Sequence, residues 1–212
     1  MKFFPIMGDG YEVDDYAPLD LSIHTSPYYK TDQINLQSLR KYVAQVKKET
    51  NTKLLYGGYL EQRALYTSKH FTGDTRDIHL GVDVWADAGT PLYAPCDMRL
   101  HSMAYNDAEL DYGYTLIYYI QELNCYLLLG HLSKSSLDDK EIGMIAKRGT
   151  EIATLGYPSE NGGWEPHVHV QFVKDMGDYK GDYPGVCSQF DVDIYKRQFS
   201  LLKLYGILNL EF

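Results

Sequence analysis

The sequence predicts a mainly β fold: an antiparallel β-sandwich or barrel-like core with an N-terminal α-helical extension. Two observations carry the β part. From about residue 76 onward, short alternating apolar segments recur. Glycines and prolines punctuate them at close spacing, as turns between antiparallel strands require. A third observation carries the extension: the clear helical spacing lies ahead of those segments. The chain therefore divides into an extension, residues 1–70, with one amphipathic helix packed on the core, and a β domain, residues 71–212.

The helix comes first. In "NLQSLRKYVAQVKKET", Leu36, Leu39, Val43 and Val46 fall at helical spacing, with Asn35 or Asp32 as N-cap. Gly57-Gly58 marks the turn after it. The strand-like segments follow in order: "IHLGVDVWA", "GTPLYAP" (a turn into a strand), "DYGYTLIYYI", "CYLLLGHLS", "GTEIATLG" and "PHVHVQFVKD". The tail "FSLLKLYGILNLEF" fits a short helix or a covering strand equally well.

Composition bounds the function. The chain has 212 residues, 44% hydrophobic and 23% charged, enough for one good core. A net charge of −9 gives no electrostatic footprint for nucleic acid or an anionic membrane. The 20 tyrosines suit half-buried pleated surfaces, or a flat recognition groove. Cys96, Cys125 and Cys187 are far apart, with no C-x-x-C, and read as buried reduced thiols. The apolar patch in "MKFFPIMGDG" is too short for a secretion signal, and no stretch approaches the length of a membrane span. As written, the sequence reads as soluble and cytoplasmic, or extracytoplasmic if a leader was removed.

The chemistry concentrates in two places. In "RDIHLGVDVWA", His79, Gly81 and Asp83 share one strand face, and Leu80, Val82 and Val84 the other. Gly81 leaves open space between an imidazole and a carboxylate. In "WEPHVHVQF", His167 and His169 face one way and Val168 and Val170 the other. Each pattern alone fits solvated or hydrogen-bonded side chains. Together, His79, Asp83 and one imidazole of the 167/169 pair supply three nitrogen and oxygen donors. A catalytic zinc typically takes three such ligands plus a water. Two neutral imidazoles and one carboxylate leave a residual charge of about +1, which acidifies the water and polarises a carbonyl. There is no H-E-x-x-H, so no helical glutamate base. The spare imidazole of the pair, or His131 in "LLLGHLS", can take that role. His24, His70 and His101 read as solvated.

The ordered set H-x-x-x-D, G-H-L-S, P-H-x-H resembles the lysostaphin-like (LytM-type) zinc metallopeptidases, β-rich enzymes of the duplicated hybrid motif fold. The resemblance spans roughly residues 76 to 173, including "HLGVDVWADAGTPLYAP", "LGHLS", "GTEIATLG" and "PHVHVQF". It implies that His79, Asp83 and His169 ligate Zn²⁺. It implies that His131 and His167 serve as general base and transition-state stabiliser, in an order the sequence leaves open. The implied activity is a zinc metalloendopeptidase that hydrolyses a peptide amide. The family's usual substrates are the Gly- or D-amino-acid-containing cross-links of peptidoglycan. A regulatory zinc-binding module and a zinc hydrolase of a non-peptide compound are the alternatives. The chain departs from the family pattern at Asp97-Met98-Arg99, at Leu129-Gly130 and at Val168 and Val170. These positions bear on groove shape and substrate specificity. The helix and the stretch "YGGYLEQRALY" read as a structural pack beside the groove, with an inhibitory pro-segment as the alternative.

Overall fold

The computed structural model describes residues 3–30, 34–65 and 76–196. The helix α1 spans Leu36–Thr50, and Asn35 caps it: its side chain accepts from the Ser38 amide at 2.9 Å. This meets one of the four orphan donors at a helix start. The helix ends at Asn51, which takes the left-handed conformation. Leu39 and Val43 are buried on its inner face, with Leu36 and Val46 partly buried beside them. Burial of such side chains stabilises by about 1.5–3 kcal/mol each.

Among the described residues, twelve strands follow the predicted β grammar, more of them than the sequence patterns marked. They are β1 (Tyr16–Pro18), β2 (Leu54–Gly57), β3 (Arg76–His79), β4 (Val82–Trp85), β5 (Pro91–Tyr93) and β6 (Met98–Asn106). Then come β7 (Gly113–Ile120), β8 (Cys125–Leu132), β9 (Ile145–Ala146), β10 (Glu151–Thr154), β11 (His167–Val173) and β12 (Val186–Ser188). A short helix α2, Val192–Lys196, closes the described chain. The tail segment 199–212 and His70 lie outside the described residues.

The main sheet has eight strands in the order β1-β2-β4-β11-β8-β7-β6-β9, and β5/β10 and β3/β12 form two-stranded sheets. All pairings are antiparallel except β1 with β2. The chain segment before residue 60 is therefore woven into the sheet rather than laid on it, through β2 beside β4. Strand β11 sits at the hub, between β4 and β8, and all seven of its residues are buried. Val168, Val170 and Phe172 face the principal core with Val82, Val84, Leu127 and Leu129. A second core holds Leu19, Leu21, Leu39, Val43 and Leu55 against Trp85 and Trp164. Cys96 and Cys187 are buried and Cys125 is half-buried.

One sequence expectation changes. His79 and Asp83 do not share a single strand. The chain breaks at Leu80-Gly81, so His79 ends β3 and Asp83 lies in β4, each strand in its own sheet. The break follows from backbone bonding: the Leu80 amide leaves the main sheet to donate to Gly185 at 2.8 Å. The open space expected at Gly81 is also taken. A Cβ there would come within 2.5 Å of the His169 ring, so glycine is what lets that imidazole enter.

Candidate metal centre

Register brings the chemistry together. His169 lies directly across from Asp83 in β4 and from Gly130 in β8, and His167 lies across from Trp85. His79 arrives from β3. His79 Nε2 is 2.9 Å from His169 Nδ1. Asp83 Oδ1 is 3.2 Å from each of those two nitrogens. His79, Asp83 and His169 are all at most 3% exposed.

The second nitrogen of each ring decides what the first one offers. His79 Nδ1 meets the Gly58 carbonyl at 2.8 Å, and a carbonyl only accepts, so Nδ1 carries the proton. Gln171 Nε2 donates to the Pro184 carbonyl at 3.1 Å, which fixes that amide's orientation. Gln171 Oε1 then accepts from His169 Nε2 at 2.9 Å. In their neutral forms both rings thus turn a lone pair inward, His79 through Nε2 and His169 through Nδ1. Asp83 Oδ1 is a third acceptor. Three acceptors within 3.2 Å of one another, with no proton to share, repel unless a cation sits among them. A tetrahedral zinc with nitrogen and oxygen ligands at about 2.0–2.1 Å spaces them about 3.3 Å apart. The donor set and the spacing fit such an ion.

The pKa directions agree with neutral imidazoles and an ionised carboxylate. Burial, and then the Arg63 charge, lower His79 to about 4, against the opposing pull of Asp83. Burial alone would raise Asp83, but its neighbours His79, Arg63 and His167 hold it well below the usual carboxylate range.

His131 and His167 stand beside this group. His167 Nδ1 donates to the Glu165 carbonyl at 2.7 Å, and its Nε2 is 3.8 Å from Asp83 Oδ1. Its ring stacks on Trp85 at 5.5 Å. His131 Nδ1 donates to the Asn161 carbonyl at 2.9 Å. His131 has φ +62°, a conformation unfavourable for a side-chain-bearing residue. A bulge in the β7–β8 pairing accommodates it, and its amide donates to the Tyr112 carbonyl at 2.7 Å. Bulges of this kind re-aim a side chain. Here the result is a His131 ring 4.2 Å from that of His167. Burial lowers both pKa values. His131 is driven well below the usual range, with further help from the charges of His167 and His169.

All five side chains line one cavity of about 190 Å³. One wall is apolar, from Leu21, Leu39, Leu65 and Trp164, and the lining also carries Glu109, Asp111 and Asp182. Burial, then the charge of Asp111, raises the Asp182 pKa. The remaining described histidines lie elsewhere. His24 is exposed on Gln62, while His101 is half-buried against Ser102 and Tyr126 rather than solvated.

Several partners escaped the sequence patterns. Gln171 continues the period-two face of His167 and His169, so its parity was a usable signal. The Gly58 carbonyl, Arg63 and Tyr112 (whose ring packs edge-on to His169 at 5.1 Å) come from other segments and left none.

A mostly antiparallel β fold thus brings His79 of β3, Asp83 of β4 and His169 of the hub strand β11 into one buried group that could hold a metal ion, open to a cleft. Residues 77–180 match the model of peptidase family M23. Solved structures similar to the chain include the catalytic domain of the antimicrobial peptidase lysostaphin from Staphylococcus simulans. It is 20% identical, with 57% of this chain and 80% of that one covered and a TM-score of 0.40. The catalytic domain of a mutant of the prophage-encoded M23 protein EnpA from Enterococcus faecalis is 20% identical, covering 61% and 88%, with a TM-score of 0.43. A zinc-containing peptidase from Vibrio cholerae is 21% identical, covering 55% and 31%, with a TM-score of 0.39. No curated protein matches the chain. Among the described residues, no helix is long and apolar enough to cross a membrane.

Proposed function

We propose that the chain is a zinc-dependent metalloendopeptidase that hydrolyses a peptide amide, with peptidoglycan cross-links as the substrate class. The observation that supports this most is the meeting of three buried acceptors, His79 Nε2, Asp83 Oδ1 and His169 Nδ1, with no proton between them. These three would hold the ion. When bound, zinc supplies Lewis acidity toward a carbonyl oxygen and toward water.

The chain's own residues supply the proton handling. His131 and His167 each present Nε2 unprotonated, because each Nδ1 proton is committed to a backbone carbonyl. Their lowered pKa values keep them neutral near pH 7. A neutral imidazole can accept a proton from the attacking water. The imidazolium so formed can donate to the developing oxyanion or to the leaving amine. The two rings, 4.2 Å apart, share these roles across one substrate carbonyl. The apolar wall and Trp164 exclude water from one side of the cleft and give the substrate a surface to lie on.

The test is hydrolysis of cross-linked muropeptides and glycyl peptides, with and without a chelator. Cleavage should cease when metal is stripped and return with zinc. Undiminished cleavage by metal-free protein would overturn the reading.

A further inference from the structure

Among the described residues, Arg63 is the one buried arginine or lysine, at 4% exposure. Its Nη1 donates to Asp83 Oδ2 at 2.7 Å, the oxygen that does not face the two imidazoles. Its Nε donates to Glu61 Oε2 at 2.6 Å. Glu61 is itself fixed, since its Oε1 accepts from the Leu21 amide at 2.8 Å. The guanidinium also lies over the Trp85 ring, 5.9 Å from its centroid.

The backbone beneath is equally constrained. The Arg63 amide donates to the Asp77 carbonyl at 2.7 Å, and the His79 amide donates to the Glu61 carbonyl at 2.9 Å. Segment 60–63 is thereby zipped along β3, which puts Glu61 and Arg63 on the side of the metal group. Gly58 makes the arrangement possible. It has φ +101°, its carbonyl holds His79, and a Cβ on it would collide with both the Arg63 guanidinium and His79 Nδ1.

We propose that Arg63, anchored by Glu61, is a positioning residue for the metal centre. It occupies Asp83 Oδ2 so that the carboxylate offers the ion a single oxygen, Oδ1. This inference rests on the metal reading above. Two physical consequences follow. An arginine fork fixes a carboxylate in rotation as well as position. And Glu61 balances the Arg63 charge, so the group can sit beside a cation without opposing it. The supports lie at residues 58–63, outside the segment 77–180 that matches the peptidase family. Residues beyond that segment thus shape its metal centre.

The experiment compares zinc affinity, by competition with a chromogenic chelator, and the visible spectrum of the cobalt(II)-substituted protein. The variants are Arg63→Lys and the double variant Glu61→Gln/Arg63→Gln. The double variant removes both charges together, so the net charge of the buried group is unchanged and Glu61 is not left as an unpaired ion. Far-UV circular dichroism of the metal-free proteins checks the fold. The double variant should bind zinc about 10–100-fold more weakly, as loss of an outer-shell partner does. Its cobalt bands should weaken as the freed carboxylate turns both oxygens to the metal and raises the coordination number. Arg63→Lys should recover part of the affinity. A folded double variant with unchanged zinc affinity and unchanged cobalt spectrum would overturn the proposal, and leave Arg63 a structural ion pair. A second measurement needs no variant. In the unsubstituted protein the Arg63 guanidinium protons, followed by nitrogen-15 NMR, should exchange slowly and shift on zinc addition; fast, unshifted signals would overturn it as well. Failure of the unsubstituted protein to bind zinc is a separate result, and would remove the metal reading itself.

Discussion

Segment 77–180 and the segment before residue 66 contribute to the same site in different ways. The first carries every side chain that would touch metal or substrate carbonyl: His79, Asp83, His131, His167 and His169. The second carries none of them, yet it supplies the Gly58 carbonyl on His79, the Arg63 fork on Asp83 and part of the apolar wall. It also supplies β1 and β2 at the edge of the main sheet and most of the second core. The comparison teaches that donor chemistry and donor orientation come from different stretches of chain. Strand parity is enough to bring the histidines to one face. Fixing their tautomers and the carboxylate's rotation takes outside partners.

The largest expected effect comes from removing one side of that comparison. Deletion of residues 1–60 uncovers β4 and leaves Leu55's partners, Trp85 and Trp164, open to water. The truncated chain should fail to give a folded monomer by circular dichroism and size-exclusion chromatography. We accordingly propose that residues 1–70 are a structural extension rather than an inhibitory one. A soluble truncation with raised peptidase activity would reverse that assignment.

Next in size is the division of labour among the histidines. His131→Ala and His167→Ala should each lower kcat by about 10²–10⁴-fold, the usual yield of a positioned acid or base. Metal content, measured by elemental analysis, should stay at the unsubstituted level in both. Loss of metal in either would move that residue from proton handling to ligation.

The smallest effect sharpens the electrostatic half of the comparison. In the metal-free protein, His79 and His131 titrate below their ordinary value of 6.5, His79 at about 4. Each takes up a proton more readily when unfolded than when folded. Their contribution to stability is therefore fully present above pH 6.5 and is lost as pH falls from there toward 4. The depressed Asp83 acts in the same direction at lower pH, its contribution vanishing as pH falls from 3.8 through its folded value. The Tm of the metal-free protein should decline steadily from pH 6.5 to pH 4. A flat Tm over that range would mean that the imidazoles are not buried neutral.

Much of this was legible in the sequence, for physical reasons. The stripe Leu36, Leu39, Val43 and Val46 gave α1, because buried helical faces repeat at that spacing. The alternation of His167 and His169 with Val168 and Val170 gave β11 and its two faces, because strand side chains reverse with period two. The break at Leu80-Gly81 was not legible. Alternation continues through it, while the Leu80 amide bonds to the Gly185 carbonyl beside the β3–β12 pairing. Strand β6 was missed because its burial alternates irregularly across a bulge between Leu100 and Ser102. Arg63 was invisible as a site residue. Nothing local marks an arginine whose partner, Asp83, is twenty residues away.

The central claim is that His79, Asp83 and His169 hold one divalent ion. The most direct test titrates zinc into stripped protein while following the histidine ring nitrogens by long-range nitrogen-15 NMR, with Asp83→Ala as control. The account predicts one zinc per chain, with shifts at His79 Nε2 and His169 Nδ1 while His79 Nδ1 and His169 Nε2 keep their protons, and no such binding in Asp83→Ala. Saturating zinc that leaves both rings unchanged, or that shifts them equally without Asp83, would contradict it.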